Sequence, residues 1–351
     1  MNLTPEKIAR IDATVMVEME KRKLAGLAFG LLLDNEVALL KIYGHADQEN
    51  QIPVTTETMF RWASITKPLA AIAAMQLVEQ GSLDLDINIR NYVPEFPDKG
   101  VTITTRHLLA HQSGLNHYAN ISPPRQYDEP HPFADPVVAL DVFKDGPLLF
   151  PPGEKCAYSS FGYMLLSAVV QRAGNKKFPD QIIERITQPL NLATIQPDYQ
   201  WENIPHRAIG YRLDQGSIVR SLDTDQSWKW GAGNYISTIG DLAGFAQGLI
   251  GEKLVSRETK KQMWTQQTTR DGQPSAIVYG GITTPYGLGF QLQTNKQGET
   301  IKPYHTGGQE KVRTRLMLYP EKKSAMVVMT NSEWGNPAFF STLIYGLLAK
   351  D

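Results

Sequence analysis

The stretch "RWASITKPLAAIAAMQLVEQG", residues 61–81, passes directly from a short polar cluster into an apolar helix. Ser64 and Lys67 are three residues apart at its start, and residues with this spacing share one face of a helix. The Lys67 amine can therefore reach the Ser64 hydroxyl. Pro68 falls within the first helical positions, where a missing N–H is tolerated. The stretch presents either a nucleophile beside its base or a serine cap followed by a solvated lysine.

The chemistry of such a pair is demanding. Serine is a poor nucleophile at neutral pH, and a neighbouring lysine accepts its proton only if desolvation or a nearby cation lowers the lysine pKa. The start of a helix favours negative charge on the serine oxygen, because its backbone amides and dipole point there. Serine and lysine are common residues, so the pair alone fits the simpler interpretation at least as well. The choice depends on the rest of the chain.

The composition excludes several classes of protein. A chain of 351 residues with 42% hydrophobic content can bury a large core, which favours a globular enzyme or binding protein. Its 35 basic and 36 acidic residues form no run of like charge that would track a phosphate backbone or an anionic membrane, so we expect no nucleic-acid partner. The single cysteine, Cys156, excludes a disulfide framework and a cysteine-ligated metal cluster. We expect a small-molecule or short-peptide substrate, no metal and no cofactor; the oligomeric state stays open.

The N-terminal segment is predicted to be a folded helix and not a leader peptide. Thr4 and Pro5 match a cap and a first helical position. Apolar residues then fall on one stripe at Ile8, Ile11, Val15 and Met19. No later segment reaches the length of a membrane span. The chain as given is therefore expected in the cytoplasm, or in the periplasm if a leader has been trimmed.

The order of the predicted elements indicates an α/β fold of the α+β type. The stretch "LAGLAFGLLLDNEVALLKIYG" predicts a β-hairpin, and residues 64–194 are mainly helical in pattern. Strand patterns return in "YGLGFQL", "VRTRLMLYP" and "SAMVVMTN". A last helix is predicted from Asn336 and Pro337 to near Lys350.

These elements predict a single domain, residues 1–351, with two lobes. Both chain ends, about 1–60 and 230–351, are expected to form an antiparallel sheet lobe flanked by the terminal helices. A mostly helical lobe, about 61–229, is inserted between them, and the cleft between lobes is the natural place for a site. The stretch "ISPPRQYDEPHPFADP", residues 121–136, interrupts the helical part, and its prolines leave open whether it is a lid or a surface loop.

Two further motifs change the interpretation of Ser64 and Lys67. In "FPPGEKCAYSSFGYMLLSAVV" a tyrosine and two serines stand between a Pro-Gly turn and another apolar helix: Tyr158, Ser159 and Ser160. In "YHTGGQEKVRTRLMLYP" four residues stand on a predicted edge strand: His305, Thr306, Gly307 and Gly308. An S-x-x-K pair, a loop bearing serine or tyrosine and a strand of K-T-G type are the signature of serine β-lactamases and penicillin-binding proteins. The three motifs occur here in that chain order.

On these motifs the chain resembles the class C β-lactamase-like serine hydrolases, which include β-lactamases, D-alanyl-D-alanine peptidases, D-aminopeptidases and carboxylesterases. Linking segments such as "ITTRHLLAHQSGL" and "WGAGNYISTIGDLAGFAQGL" look like those of the family, so the resemblance covers nearly the whole chain. Within the family the chain is similar to the mitochondrial LACTB type, which shares the tyrosine-serine loop and the histidine-threonine-glycine-glycine strand. The resemblance implies a β-lactamase/transpeptidase-like fold.

The resemblance also implies roles for the motif residues. Ser64 corresponds to the acylated nucleophile, with Lys67 and Tyr158 sharing the general-base work. A phenol beside an ammonium has a lowered pKa, so such a tyrosine can exchange protons with the serine and with an attacking water. The family's oxyanion hole implies the backbone amides of Ser64 and Gly308. The remaining motif residues are expected to bind the substrate: Ser160, His305, Thr306, Gly307 and Gly308.

Two departures from the family pattern concern the substrate. Ser160 stands where asparagine is usual, which shortens the grip on a peptide-like carbonyl. His305 replaces a lysine, and at a reference pKa of about 6.5 it is mostly neutral at pH 7. Since that lysine helps to bind the carboxylate of β-lactams and D-alanyl peptides, we expect esters and D-amino-acid amides to react better. If His305 contacts the substrate or Tyr158, activity should show a pH limb in the histidine range.

Arg313 and Arg315 alternate on the following strand. The alternation predicts that they form one solvated strand face; the alternative is that they supply the missing charge.

Other interpretations are weaker. His107 and His111 have helical i, i+4 spacing, but the glutamate of H-E-x-x-H is absent and no third ligand is evident, so we expect packing or capping. The chain has no G-x-S-x-G elbow, Walker A loop or Rossmann fingerprint. The rival from another class is a catalytically weak protein of the same fold that binds peptidoglycan-type peptides or acts as a scaffold. A pure binder would not need serine, lysine and tyrosine together.

Overall fold

The computed structural model describes residues 3–120, 133, 135–279 and 281–349. The stretch 121–136, interpreted above as a lid or a loop, lies almost wholly outside these residues. The α-helices are α1 Pro5–Lys21, α2 Thr66–Glu79, α3 Thr105–Leu109, α4 Ser160–Ala173, α5 Phe178–Ile182, α6 Ile239–Ile250, α7 Arg257–Met263 and α8 Pro337–Ala349. None of these described helices combines the length and the apolar character needed to cross a membrane.

The strands fall into two groups along the chain, near its beginning and over its last third, with short strands between. They are β1 Gly26–Leu33, β2 Glu36–Asp47, β3 Ile52–Pro53, β4 Phe60–Arg61, β5 Gln196–Pro197, β6 Tyr211–Asp214, β7 Ser217–Arg220, β8 Tyr235–Ser237, β9 Ala276–Tyr279, β10 Ile282–Pro285, β11 Gln291–Thr294, β12 Thr300–Gln309, β13 Val312–Tyr319 and β14 Ser324–Thr330.

Helix α1 begins as the sequence predicts. The Thr4 side chain accepts a hydrogen bond from the Lys7 amide, and Pro5 occupies the first turn. Three residues of the predicted stripe are buried: Ile11, Val15 and Met19. Local capping and a 3.6-residue period therefore suffice to specify this element.

The largest sheet in the described part of the chain has seven antiparallel strands in the order β11-β12-β13-β14-β1-β2-β3. β1 and β2 form the predicted hairpin, and both ends of the chain contribute strands. The predicted mixed fold with a large antiparallel sheet is confirmed.

One predicted strand starts later than its pattern indicates. Of the stretch "YGLGFQL" only its end, from Gln291 onward, belongs to β11. Gly289 has a φ of +87°, and a Cβ there would lie 2.4 Å from the Ala71 Cβ. The segment before β11 therefore turns to pack against α2, and its alternating apolar residues serve that contact instead of a strand.

The outer face of the sheet is covered by the two terminal helices. Apolar residues of α1, α8, β1 and β14 form one cluster: Ile11, Val15, Met19, Leu27, Phe29, Leu31, Met326, Val328, Phe340, Ile344 and Leu348. In β1 these residues alternate with Ala28 and Leu32, which belong to the core on the other face. Because its side chains alternate, β1 contributes one set of residues to the outer cluster and the other set to the core on the inner face.

The inner face packs against α6 and leads into the main core. A Cβ at Gly30 would lie 3.1 Å from the Ala243 Cβ, so a glycine lets α6 approach β1 closely. Beyond α6 lies α2, in which every residue from Thr66 to Leu77 is buried. A helix buried all round forms the centre of a core. Lys67, in its first turn, is consequently fully buried.

The outer core gives a test of this layering. We expect Phe340→Ala to lower the free energy of unfolding by about 3–5 kcal/mol, because the ring is completely buried between α8 and the sheet. The exposed Met16 on α1 provides the matched control, and Met16→Ala should change stability little. Urea unfolding of the three proteins measures both effects, and equal losses would contradict the packing described.

Candidate active site

Ser64 lies in a 3-10 turn, Ala63–Ile65, that leads into α2. Ala63 has a φ of +49°, a left-handed conformation that costs a residue with a Cβ about 1–3 kcal/mol and persists only when its surroundings fix it. The Trp62 amide donates to the Tyr235 carbonyl at 2.7 Å, and the Trp62 carbonyl accepts from the Thr314 hydroxyl at 2.9 Å. Ser64 is partly exposed, whereas its neighbours are buried. The turn therefore presents the serine at a surface.

Strand β12 lies directly against this turn. A Cβ at Gly307 would lie 2.1 Å from the Thr314 Oγ1 and 2.5 Å from the Trp62 carbonyl oxygen. Only glycine permits such an approach. The third residue of the histidine-threonine-glycine-glycine motif thus brings the strand and the serine turn together.

The Lys67 amine makes three polar contacts. Its Nζ lies 3.0 Å from the Ser64 Oγ, 3.2 Å from the Ser160 Oγ and 2.8 Å from the Ala232 carbonyl oxygen. A neutral amine has two N–H donors and one lone pair. If Ala232 and Ser160 accept the two N–H groups, the lone pair faces the Ser64 hydroxyl. This is the arrangement that a proton-accepting lysine requires.

The surroundings of Lys67 favour that neutral form. Burial lowers the pKa of the Lys67 ammonium well below its ordinary value, and the positive charge of Lys229 lowers it further. A buried lysine whose charged form is disfavoured is a base at neutral pH, where a solvated lysine is not.

Tyr158 precedes helix α4 and faces Lys67. The centroid of its ring lies 4.8 Å from the Lys67 Nζ. Ser159 caps α4, because its side chain accepts from the Gly162 amide at 3.0 Å. Ser160 follows as the first helical residue, with its hydroxyl on Lys67. The predicted trio of Ser64, Lys67 and Tyr158 therefore meets around one amine.

The open edge of β12 forms the opposite wall. β12 pairs with β11 as far as Tyr304. Beyond it, the Thr306 amide and hydroxyl both donate to the Gln291 side-chain oxygen, at 3.0 and 3.2 Å. Alternate amides of a strand point to the same edge, so the Gly308 amide also points outward. A backbone donor is thus available where the sequence predicts one.

A cavity of about 410 Å³ opens beside Tyr158 and Gly308. Its wall also includes His117, Cys156, Val278 and Glu310. Among the described residues of this wall, Glu310 is the acidic one, and its carboxylate lies 3.8 Å from the Lys229 Nζ. Burial raises the pKa of the Cys156 thiol to about 12, which keeps the sulfur protonated and unreactive.

His305 differs from the expectation that it binds substrate. It has no exposed surface. Its Nδ1 lies 2.7 Å from the Thr306 carbonyl, which can only accept, so Nε2 accepts from the Tyr286 hydroxyl at 3.2 Å. Burial lowers the pKa of His305 from 6.5 to about 3. The side chain is a neutral core residue, and a pH limb in the ordinary histidine range does not follow from it.

Arg313 and Arg315 pack against the protein, which corrects the expectation of a solvated face. The Arg313 guanidinium donates to the Gln309 and Val312 carbonyl oxygens at 2.8 and 2.9 Å. The Arg315 guanidinium lies 4.9 Å from the Tyr304 ring centroid, and burial lowers its pKa. Both arginines lie on one face as predicted, but they stabilise the strand.

His107 and His111 act as the sequence predicts, in capping and packing. The His107 Nδ1 accepts from the Thr104 amide at 3.3 Å in a capping box at the start of α3. His111 is buried, and its Nδ1 accepts from the Ser159 amide at 3.2 Å. In the described ranges, no three histidine, cysteine, aspartate or glutamate side chains gather as a metal site.

Several residues of the site are not predicted from the sequence. Thr314 lies between Arg313 and Arg315 in the sequence. Because side chains alternate along a strand, Thr314 lies on the opposite face of β13 from the two arginines, and this alternation was the signal that could have identified it. Gln291, His117 and Lys229 reach the site only through contacts between distant parts of the chain, for which the sequence holds no local pattern.

The fold and site agree with comparisons to known proteins. The sequence matches the Beta-lactamase family over residues 11–350, so the chain belongs to that family. It is 28% identical over 380 residues to the human serine beta-lactamase-like protein LACTB, mitochondrial, covering 85% of this chain and 69% of the human protein. The predicted resemblance to the LACTB type is confirmed.

Solved structures share the fold. The octameric penicillin-binding protein homologue from Pyrococcus abyssi superposes with a TM-score of 0.79 at 27% identity, covering 97% of this chain and 77% of that one. The D-amino acid amidase from Ochrobactrum anthropi SV3, complexed with L-phenylalanine amide, has the same TM-score of 0.79 at 23% identity, covering 98% and 96%.

The burial of His305 predicts how stability depends on pH. The folded protein keeps this ring neutral down to about pH 3, whereas the unfolded chain protonates it near 6.5. Stability therefore falls as pH drops through this window, by up to about 1.4 kcal/mol per pH unit for one proton. His305→Gln keeps an acceptor for Tyr286 but does not titrate, so the slope should be shallower. Urea unfolding at several pH values measures it.

His206 provides the control for this experiment, because its side chain is largely exposed. The slope for His305→Gln is compared with the slopes for wild type and His206→Gln. Equal slopes in wild type and His305→Gln would mean that His305 protonates at the same pH in the folded and the unfolded protein.

Proposed function

We propose that this protein is a serine hydrolase that works through an acyl-enzyme on Ser64. The observation that carries the proposal is the contact of 3.0 Å between the Ser64 Oγ and a fully buried Lys67 amine. Burial lowers the pKa of this amine and favours its neutral form, whose lone pair can accept the serine proton. A helix cap with a solvated lysine would not need this burial.

The first step is attack of Ser64 Oγ on the substrate carbonyl while its proton passes to Lys67. The backbone amides of Ser64 and Gly308 receive the negative charge that develops on the carbonyl oxygen. Tyr158, against the Lys67 amine, passes the proton to the leaving group. The same groups then activate a water molecule that hydrolyses the ester on Ser64.

Esters and D-amino-acid amides are the acyl donors that the site favours over β-lactams. His305, in the place of the family's lysine, is buried and neutral, so it offers no charge to a carboxylate. The cavity wall carries the Glu310 carboxylate, which lies 3.8 Å from the Lys229 amine and offsets its positive charge, so this pair offers little net charge to an anionic substrate. The fold also occurs in a D-amino acid amidase, although at 23% identity that likeness concerns the fold alone.

The acyl-enzyme makes a direct prediction. Wild type should gain the mass of one acyl or phosphonyl group when treated with a fluorophosphonate or a reactive p-nitrophenyl ester, whereas Ser64→Ala should not. Lys67→Ala and Tyr158→Phe should each lower kcat by at least about 10²-fold, the scale of a lost positioned base. Intact-mass spectrometry and steady-state kinetics measure these effects.

The alternative function, binding without efficient catalysis, predicts a different result in these experiments. A catalytically weak binding protein would show no adduct with any of these reagents and no turnover dependent on Ser64. Near-normal turnover in Lys67→Ala or Tyr158→Phe, with Ser64 still acylated, would instead mean that the base is another residue.

The charge of the cavity wall predicts substrate preference. We expect a short p-nitrophenyl ester and a D-amino-acid amide to be turned over faster than a chromogenic cephalosporin. Glu310→Gln should raise the cephalosporin-to-ester ratio of kcat/KM by about 3- to 10-fold, because it removes the negative charge that offsets Lys229 beside the cavity. The neutral ester is the internal control. A wild type that prefers the cephalosporin would contradict this view of the cavity.

A further inference from the structure

Two imidazole rings flank the ring of Tyr158. The His111 centroid lies 4.5 Å from the Tyr158 centroid, and the His117 centroid lies 5.5 Å from it, with the rings perpendicular. His111 is almost completely buried, whereas His117 forms part of the cavity wall. Tyr158 is therefore held between one buried imidazole and one at the cavity wall.

The same two rings bind the backbone that follows Tyr158. The Ser159 amide donates to the His111 Nδ1 at 3.2 Å, and the Ser160 amide donates to the His117 Nδ1 at 3.3 Å. These residues are the cap and first residue of α4, whose N–H groups have no acceptor within the helix. Ser159 is extended, so the two successive amides point in different directions. The backbone is thus fixed from two sides.

Each contact requires a neutral ring, because a protonated imidazole has no lone pair to accept an N–H. Burial lowers the pKa of His111 well below its ordinary value. Burial, and then the charge of Lys229, lowers the pKa of His117 to about 3. Both rings therefore remain acceptors at neutral pH, with their proton on Nε2.

We propose that His111 and His117 are positioning residues that hold Tyr158 against the Lys67 amine by binding the two amides after it. Neither ring needs to touch the substrate for this role. The inference rests on the proposed function, since it assumes that Tyr158 transfers protons during the reaction of Ser64.

His117 offers the sharper test, because it lies at the cavity wall and tolerates substitution better than a buried ring. Asparagine places its side-chain oxygen near the position of Nδ1 and can still accept the Ser160 amide, whereas the glutamine amide reaches the position of Nε2. We expect His117→Gln to lower kcat for a p-nitrophenyl ester by about 10- to 100-fold with little change in KM, the effect of a misplaced catalytic group. His117→Asn should recover most of the loss.

A double-mutant cycle separates positioning from general damage. If His117 acts through the Tyr158 hydroxyl, His117→Gln should cost less than about 3-fold in a Tyr158→Phe background. An equal loss in both backgrounds, or equal kcat for the Asn and Gln variants, would overturn the proposal. His206→Gln, a change at the exposed surface, is the control for unspecific effects.

Crystal structures of the two variants give a readout that does not need activity. The distance from the Lys67 Nζ to the Tyr158 ring centroid, 4.8 Å here, should be retained in His117→Asn and should lengthen in His117→Gln. An unchanged distance in both would overturn the proposal even if Ser64 is acylated. If no acyl-enzyme forms, the proposed function is wrong, but this distance still tests whether the His117 ring positions Tyr158.

His111 supplies a second variant pair. Its φ of +57° is a conformation that asparagine adopts readily, so His111→Asn suits the backbone. We expect His111→Gln to lose more kcat than His111→Asn, with thermal unfolding used to confirm that both are folded. The reverse order would contradict the role of the Nδ1 contact.

Discussion

The site depends on one buried amine. Lys67 has no exposed surface, and the oxygen atoms around it come from three separate parts of the chain: the serine turn, the start of α4 and the backbone at Ala232. A charged ammonium in that position would be costly, and the neutral form has one donor or acceptor for each neighbour. The burial of Lys67 therefore has two consequences: it packs the start of α2 into the core, and it favours the amine form that can accept the Ser64 proton.

The sheet contributes by fixing the serine turn from outside. Thr314 binds the Trp62 carbonyl, and Gly307 allows β12 to lie against the same peptide group. This contact offsets the left-handed backbone at Ala63. Because β13 pairs with β14, which contributes Met326 and Val328 to the outer cluster, the geometry of the nucleophile is tied to helices on the far side of the sheet.

Local patterns predict the parts of this structure that depend on neighbours in sequence. The Thr4 cap, the first hairpin and the approach of Lys67 to Ser64 all follow from spacing. The burial of Lys67 does not, since it arises from helices and turns packed around α2. The strand pattern places His305 on β12 but does not say that it faces the core. The histidine contacts to Ser159 and Ser160 join residues 48 and 43 positions apart, and no local signal reports them.

The edge of β12 limits the shape of what can bind. Two of its amides, at Thr306 and Gly308, point outward, and the Gln291 side chain already occupies the first. An extended peptide that adds to a sheet needs a row of such donors, about one for every two residues. In the part of β12 described here, this edge leaves one such donor available, the Gly308 amide. For the proposed hydrolase, such an edge suits a single carbonyl group better than a polypeptide added as a further strand, and therefore compact acyl donors whose recognition ends within a few atoms of the bond that breaks.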